Sequence, residues 1–427
     1  MLIYSHTITS RLQYICKFIF HEQLGIGFSL TIDSEGFKNH DGPKINYSNL
    51  EVEGNVFNLK NHALLFEHTI QIQPIECFET NGFKAFFKTT NSHYSFDIFA
   101  AAFYLLSRYE EYLPHEKDMY GRYAHENSLA FKEGFLHQPL INTWINHFAQ
   151  ALKKQFSSFS FQRASFHFIP TYDIDIAWSF IRKGFIRNFG GFIKSPSLNR
   201  LAVMAGLKKD PFDSYEYLRD LHQLYHLDPV YFFLVAPSGS QYDKNVSPYN
   251  HSMWQLIKRH AKKYRIGLHP SWKSNDNIAI LKKEKKILET AGVTAITRSR
   301  QHYIKFTLHH TFERLTEVGI TDEYSMGYGS INGFRASVAS SFFWYNLQTE
   351  TTTTLQLHPF CFMDANSFYE QKQNPADSLA ELMHYYEVCK KVNGQMITIF
   401  HNNFLGTGTQ FAGWRALYEN FISRLQQ

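Results

Sequence analysis

Asp173 and Asp175 stand two residues apart, directly after the apolar run Phe166-His167-Phe168-Ile169-Pro170. The run reads as a buried strand. Carboxylates two residues apart at its end project to the same side. Like charges held that close raise one another's pKa unless a cation neutralises them. A metal ion plus one free general base would resolve the repulsion and supply hydrolytic chemistry. The plainer reading is a pair of loop aspartates capping the next helix.

Four later motifs also close apolar, strand-like runs. They are Gly267-Leu268-His269-Pro270-Ser271, Arg298-Ser299-Arg300-Gln301-His302, Gly333-Phe334-Arg335-Ala336-Ser337 and Ile399-Phe400-His401-Asn402. Core histidines have no reason to keep to one end of a sheet, so these groups read as one site. A carboxylate and two neutral imidazoles form a tripod for Zn²⁺ or a similar ion and leave a position for water. Asp175 and His269 are the first two ligands on this reading. Against it, a strand-end histidine can bond to backbone, and Pro270 can simply end a strand.

The elements that must position these groups alternate after residue 160. Strand-like runs at Phe166–Pro170, Val230–Ala236, Arg265–His269, Val293–Thr297, Gly333–Ala336, Thr354–His358 and Met396–His401 are separated by helical patterns. The helices are expected at Ser214–Tyr225, Ser252–Tyr264, Asn277–Ala291, Thr311–Val318 and Asp377–Val392. Such alternation predicts an α/β fold of parallel strands with outer helices. About seven units suggest a closed or nearly closed (β/α) barrel with its site at the C-terminal strand ends.

Residues 1–160 read differently, as a smaller α+β domain. Ile26–Ile32 alternates like a short strand, a helix is expected to open at Ser10, and Asp97 is a plausible N-cap for a helix over 97–112. Leu140–Phe156 reads as another helix. Polar Ser157–Arg163 then separates a domain 1–160 from a domain 161–427.

Composition excludes several classes. The 427 residues exceed one typical core. With 44% apolar and 19% charged residues the chain is a folding one. A net charge of +5 is too mild for a nucleic-acid binder. Cys16, Cys77, Cys361 and Cys389 are scattered without a CxxC pair, which fits a reducing compartment. No apolar stretch is long enough to span a bilayer, and Met1–Phe20 does not read as a signal peptide, so a cytoplasmic location is expected. Aromatic residues reach 17%, which suits a large core or flat rings facing sugars. Residues 181–209 carry seven basic side chains and no acid, interleaved with phenylalanines. This segment reads as a cover over the barrel mouth, or as a patch for peripheral membrane contact or an anionic substrate.

The ordered set TYDID, GLHPS, GFRAS and IFHNN resembles the motif series of the polysaccharide deacetylases, the NodB-homology or carbohydrate esterase family 4 group. A two-domain bacterial branch is more similar still. Its N-terminal region carries a stretch that here runs from Phe96-Asp97-Ile98-Phe99-Ala100 to Ser107-Arg108-Tyr109-Glu110-Glu111-Tyr112. The resemblance implies a distorted (β/α) barrel that binds a divalent metal, zinc first with Mn, Co or Fe as alternatives. It implies a carbohydrate substrate and the removal of N-acetyl groups from a sugar, polysaccharide or glycan precursor. By the same resemblance Asp173 is the catalytic base, Asp175 and His269 are metal ligands, Arg335 orients the base and His401 is the general acid.

One position departs from the pattern. The family's first metal histidine lies four residues before the second, where this chain has Arg265, and arginine cannot ligate a metal. His302 is the replacement ligand expected here, with ordinary packing as its other reading. His309, His310 and His358 are weaker substitutes. Asp322 and Asp364 either line the cleft or cap helices. The departure permits a rival reading, a glycan-binding protein without catalysis; the resemblance itself permits another, a hydrolase of another non-peptide C–N bond.

Overall fold

A computed structural model describes residues 1–162, 164–181, 198–237 and 239–425. Most of the basic segment expected at 181–209 lies outside the described residues. The chain forms two compact units.

The first unit comprises Met1–His167 together with Gly333–Pro359 and Val388–Gln395. The helix Ser10–Cys16 opens where Thr9 Oγ1 accepts the Leu12 N–H, and a π-turn, Lys17–Gln23, continues it. Four short strands lie side by side in the order Ser29–Thr31, Leu2–Tyr4, Lys44–Tyr47, Phe57–Leu59, all parallel. The fully buried helix Ile98–Leu106 starts at Asp97, whose Oδ1 accepts the N–H of Phe99 and Ala100. Burial pushes the Asp97 carboxyl up to about 6, against the pull of those donors, Tyr47 Oη and the His62 N–H. The helix expected to reach residue 112 breaks at Arg108, which takes a left-handed φ of 53° before the 3₁₀ turn Tyr109–Tyr112.

Two runs expected as barrel strands belong to this unit instead. Gly333–Ala336 forms turns and no strand. Arg335 of this segment grips Glu111 with one edge of its guanidinium, Nε to Oε1 at 2.8 Å and Nη2 to Oε2 at 2.6 Å. Arg108 Nε holds the same carboxylate at 2.7 Å. Burial resists ionisation of Glu111, but the two guanidiniums prevail and hold it at about 2. Thr354–His358 overlaps the strand Thr351–Leu357, which pairs antiparallel with Phe342–Asn346 as a hairpin. Its threonine-rich alternation marks a half-exposed antiparallel strand rather than a buried parallel one.

The second unit comprises Phe168–Asn332, Phe360–Glu387 and Met396–Gln427. Seven strands follow one another in the order Asp322–Glu323, Arg298–Ser299, Arg265–His269, Val230–Leu234, His167–Ile174, Gln395–His401, Phe362–Met363. The strands Asp322–Glu323 and Arg298–Ser299, Arg298–Ser299 and Arg265–His269, Arg265–His269 and Val230–Leu234, Val230–Leu234 and His167–Ile174, and Phe362–Met363 and Gln395–His401 pair in parallel. Helices Tyr215–Leu224, His251–Lys263, Ile278–Gly292 and His310–Glu317 fill the crossovers, each burying one apolar stripe such as Met253, Leu256 and Ile257. The parallel α/β grammar is therefore present. Among the described residues its strand order is linear, with no pairing that joins the two ends into a barrel.

The run Val293–Thr297 is not the fourth strand. Helix Ile278–Gly292 extends to Val293, which caps it at φ 53° with 75% of its surface exposed. The strand begins at Arg298, where charged and polar residues hide it from an apolar-run reading.

The register aligns Asp173 with Phe232 and Phe232 with Gly267. Side chains level with one another in parallel strands share a face. Phe232 needs the space that Gly267 leaves: a Cβ there would lie 2.5 Å from Phe232 Cε1 and 3.0 Å from the Arg298 carbonyl oxygen.

Candidate functional site

Five side chains of the second unit come together where its strands end. Asp173 is the penultimate residue of its strand and Asp175 lies just beyond it. His269 and His401 are the last residues of theirs. His302 opens a 3₁₀ turn three residues after Ser299. His269 Nε2 lies 3.1 Å from Asp175 Oδ1, and the Nε2 atoms of His302 and His401 each lie 3.4 Å from Asp175 Oδ2. Asp175, His269 and His302 offer ligand atoms within 4.8 Å of one another.

The other nitrogen of each ring decides what faces Asp175. His269 Nδ1 meets the Arg300 carbonyl at 2.5 Å, His302 Nδ1 meets Asp243 Oδ1 at 3.0 Å, and His401 Nδ1 meets Asp364 Oδ1 at 2.6 Å. A carbonyl and a carboxylate can only accept, so every Nδ1 carries the proton. In its neutral form each imidazole then turns an Nε2 lone pair toward a carboxylate. Lone pairs do not face a carboxylate stably without a cation between them. Asp175 Oδ1 is buried and has no hydrogen-bond partner, which fits the same demand. The donor set is one carboxylate and two imidazoles, suited to zinc or a similar borderline ion.

Without an ion, protons fill that place. Burial alone would raise Asp175, but His302, His269 and His401 together hold it well below the usual carboxylate range. Burial disfavours charge on His302, yet Asp175 and Asp243 raise it to about 9. His401 behaves likewise: burial opposes its charge, and Asp364 and Asp175 carry its pKa well above the ordinary value.

Asp173 takes its guanidinium from Arg300. Arg300 Nη1 donates to Asp173 Oδ1 at 2.8 Å and to Thr171 Oγ1 at 2.7 Å, and Nε donates to the Tyr324 carbonyl at 3.1 Å. The fully buried guanidinium lies 4.4 Å from the centroid of the Phe232 ring. Asp173 Oδ2 lies 3.8 Å from His269 Nε2, on the side of the ligand cluster. This corrects the expectation for Arg335, whose carboxylate partner is Glu111 in the first unit. Arg265 opens the strand that His269 closes and pairs with Asp228 at 2.9 Å. Four residues of extended chain separate the two by about 13 Å, so no side chain at that position shares an ion with His269.

Sequence reading missed Arg300 as the partner of Asp173, although it stands in the Arg298–His302 motif two residues before His302. It missed Asp243 altogether. Asp243 accepts His302 Nδ1, the Trp272 N–H and Ser240 Oγ, and in sequence it looks like an ordinary turn aspartate. Asp364 holds both the ring and the backbone N–H of His401, the latter at 2.7 Å. Asp322 bonds its neighbour Thr321, and His358 bonds Ser341 in the first unit.

Aromatic rings rim the His302 side. Tyr242 and Trp272 stack with centroids 3.9 Å apart, and Tyr303 stands edge-on to both. All three are half-buried. Each is tied to the cluster: Tyr242 precedes Asp243, the Trp272 N–H binds Asp243, and Tyr303 follows His302.

Residues 1–157 match a family of unknown function (DUF7033). No curated protein matches the chain. Among solved structures it is similar to a putative polysaccharide deacetylase from Mycobacterium smegmatis, at 13% identity and a TM-score of 0.41 over 61% of this chain and 84% of that one. It is also similar to a probable polysaccharide deacetylase from Pseudomonas aeruginosa PAO1, at 12% identity and a TM-score of 0.39 over 62% and 85%. A CE4 family pseudoenzyme from Bacillus anthracis aligns at 9% identity and a TM-score of 0.31 over 61% and 60%. Among the described residues no helix is long and apolar enough to cross a membrane.

Proposed function

We propose that this chain is a metal-dependent hydrolase that removes N-acetyl groups from a sugar or glycan precursor. The observation that carries the reading is the set of Nε2 atoms aimed at Asp175 beside an arginine-held Asp173. An ion held by Asp175, His269 and His302 would lower the pKa of a water molecule and polarise the acetamide carbonyl. Asp173 takes the proton of the attacking water through Oδ2, because Arg300 engages Oδ1 and fixes the carboxylate plane. His401 carries a proton on Nε2 and gives it to the departing amine nitrogen as the C–N bond breaks. Asp364 keeps the ring in that orientation. The products are acetate and a free amine, and water supplies the oxygen and hydrogen that balance the step.

The aromatic rim favours a sugar over other C–N substrates. Half-buried rings offer flat apolar surface at a polar site, which suits the C–H face of a pyranose. The reason to read the site as inactive was Arg265, and in this proposal the imidazole of His302 serves instead. The test pairs metal analysis with acetate release from N-acetylated sugar oligomers. Wild-type protein purifies with about one divalent ion and releases acetate, whereas Asp173→Asn keeps the ion and loses turnover. A wild-type protein that holds the ion and releases no acetate from any N-acetylated glycan contradicts the proposal.

A further inference from the structure

The second unit holds another group of metal-ligating side chains, apart from the Asp175 cluster. Helix His310–Glu317 begins directly after His309 and brings Glu313 round one turn later. Spacings of three and four residues bring His309, His310 and Glu313 together on the helix surface. His309 Nδ1 lies 2.8 Å from Glu313 Oε2, and the two imidazole centroids are 4.2 Å apart. One ligand atom from each of the three lies within 4.8 Å of the other two.

The backbone beneath them is well anchored. The Glu313 N–H donates to the His309 carbonyl at 3.1 Å, and Thr307 and Thr311 exchange bonds of 3.0 Å. Phe312 and Leu315 are buried, and Phe312 stacks on Phe306 with centroids 5.0 Å apart. The side chains of His309 and Glu313 remain 22% and 42% exposed, so an ion can enter from solvent and keep water on its open positions.

We propose that His309, His310 and Glu313 form a second divalent-cation site, for Zn²⁺, Ni²⁺ or Cu²⁺. Two imidazoles and one carboxylate suit these borderline ions, with copper the tightest in the usual order of affinities. A simple ion pair accounts for His309 and Glu313 but gives His310 no part. The positive end of the helix opposes a cation, so this site is weaker than the Asp175 cluster.

The test is calorimetric titration of Zn²⁺ into the metal-free full chain. Wild type shows two transitions. His310→Ala and Glu313→Gln each weaken the looser one by about tenfold or more and leave the tighter one in place. Asp175→Ala removes the tighter transition and keeps the looser. A wild type without the looser transition overturns the proposal, as does a looser transition untouched by His310→Ala and Glu313→Gln. Loss of both transitions in Asp175→Ala also overturns it. Absence of the tighter transition alone counts against the hydrolase reading and leaves this one standing.

Discussion

His302 and Asp243 share a hydrogen bond of 3.0 Å, and it fixes which nitrogen of the ring faces Asp175. Asp243 is bonded at the same time by the Trp272 N–H and Ser240 Oγ. Its carboxylate is therefore a rigid bracket that keeps the proton on Nδ1 and the lone pair on Nε2. Burial works against its ionisation, but the bonds from His302, Trp272 and Ser240 leave its pKa below the ordinary value.

Asp243→Ala is expected to weaken zinc binding by about 10- to 100-fold while the far-ultraviolet spectrum stays unchanged, since removal of such a partner frees the ring to turn. Competition with a chromophoric chelator measures this directly. Unchanged affinity would mean that His302 is no ligand.

Metal affinity is expected to depend on pH through His302. Its pKa is raised from 6.5 to about 9 in the metal-free fold, so the ring is protonated at neutral pH and an ion must displace that proton. Affinity then rises with pH up to about 9 and levels off above it. Stability of the metal-free protein follows the opposite course. The raised pKa contributes stability that is fully present below pH 6.5 and is lost as pH climbs through 9. Melting of the metal-free protein against His302→Gln across this window isolates the contribution, because the variant lacks the titrating ring.

Arg300 and Arg335 are expected to separate chemistry from stability. Arg300→Lys keeps a positive charge but loses the fork that spans Asp173, Thr171 and the Tyr324 carbonyl, so turnover drops about 100-fold with metal content unchanged. Arg335→Ala leaves Glu111 buried with only Arg108 beside it and costs about 3 kcal/mol of stability. Denaturant unfolding and single-substrate kinetics on both variants make the comparison. Equal turnover losses with equal stability losses would refute the separation.

Gly267→Ala is expected to lower activity although Gly267 lies outside the ligand set. The added methyl collides with Phe232, the ring under the Arg300 guanidinium that holds Asp173. A kcat reduction with near-native zinc affinity is the expected signature.

The grouping of Asp175 and His269 was legible in the sequence because parallel strands carry their polar groups at one end and an apolar run marks each of those two ends; His302 was placed from a run, Val293–Thr297, that lies just before its true strand. The helices from Ser214 to Val318 were legible for a similar reason: each has one continuous apolar stripe. Other features had no local signal. Arg300 and Arg335 both follow short strand-like runs, and what distinguishes them is a partner far away in sequence, Asp173 for one and Glu111 for the other. Asp243 sits in a loop whose Ser240 contact looks like an ordinary turn. The strands Asp322–Glu323 and Phe362–Met363 have two residues each, too few for any periodicity. Thr351–Leu357 alternates like a strand, but only its antiparallel pairing with Phe342–Asn346 shows that it belongs to a hairpin.

The most direct measurement is an anomalous difference map from crystals grown with zinc. The account predicts one strong peak about 2.0–2.2 Å from a carboxylate oxygen of Asp175 and from Nε2 of both His269 and His302. No density between these three side chains, or a zinc ion that leaves His302 uncoordinated, would contradict it.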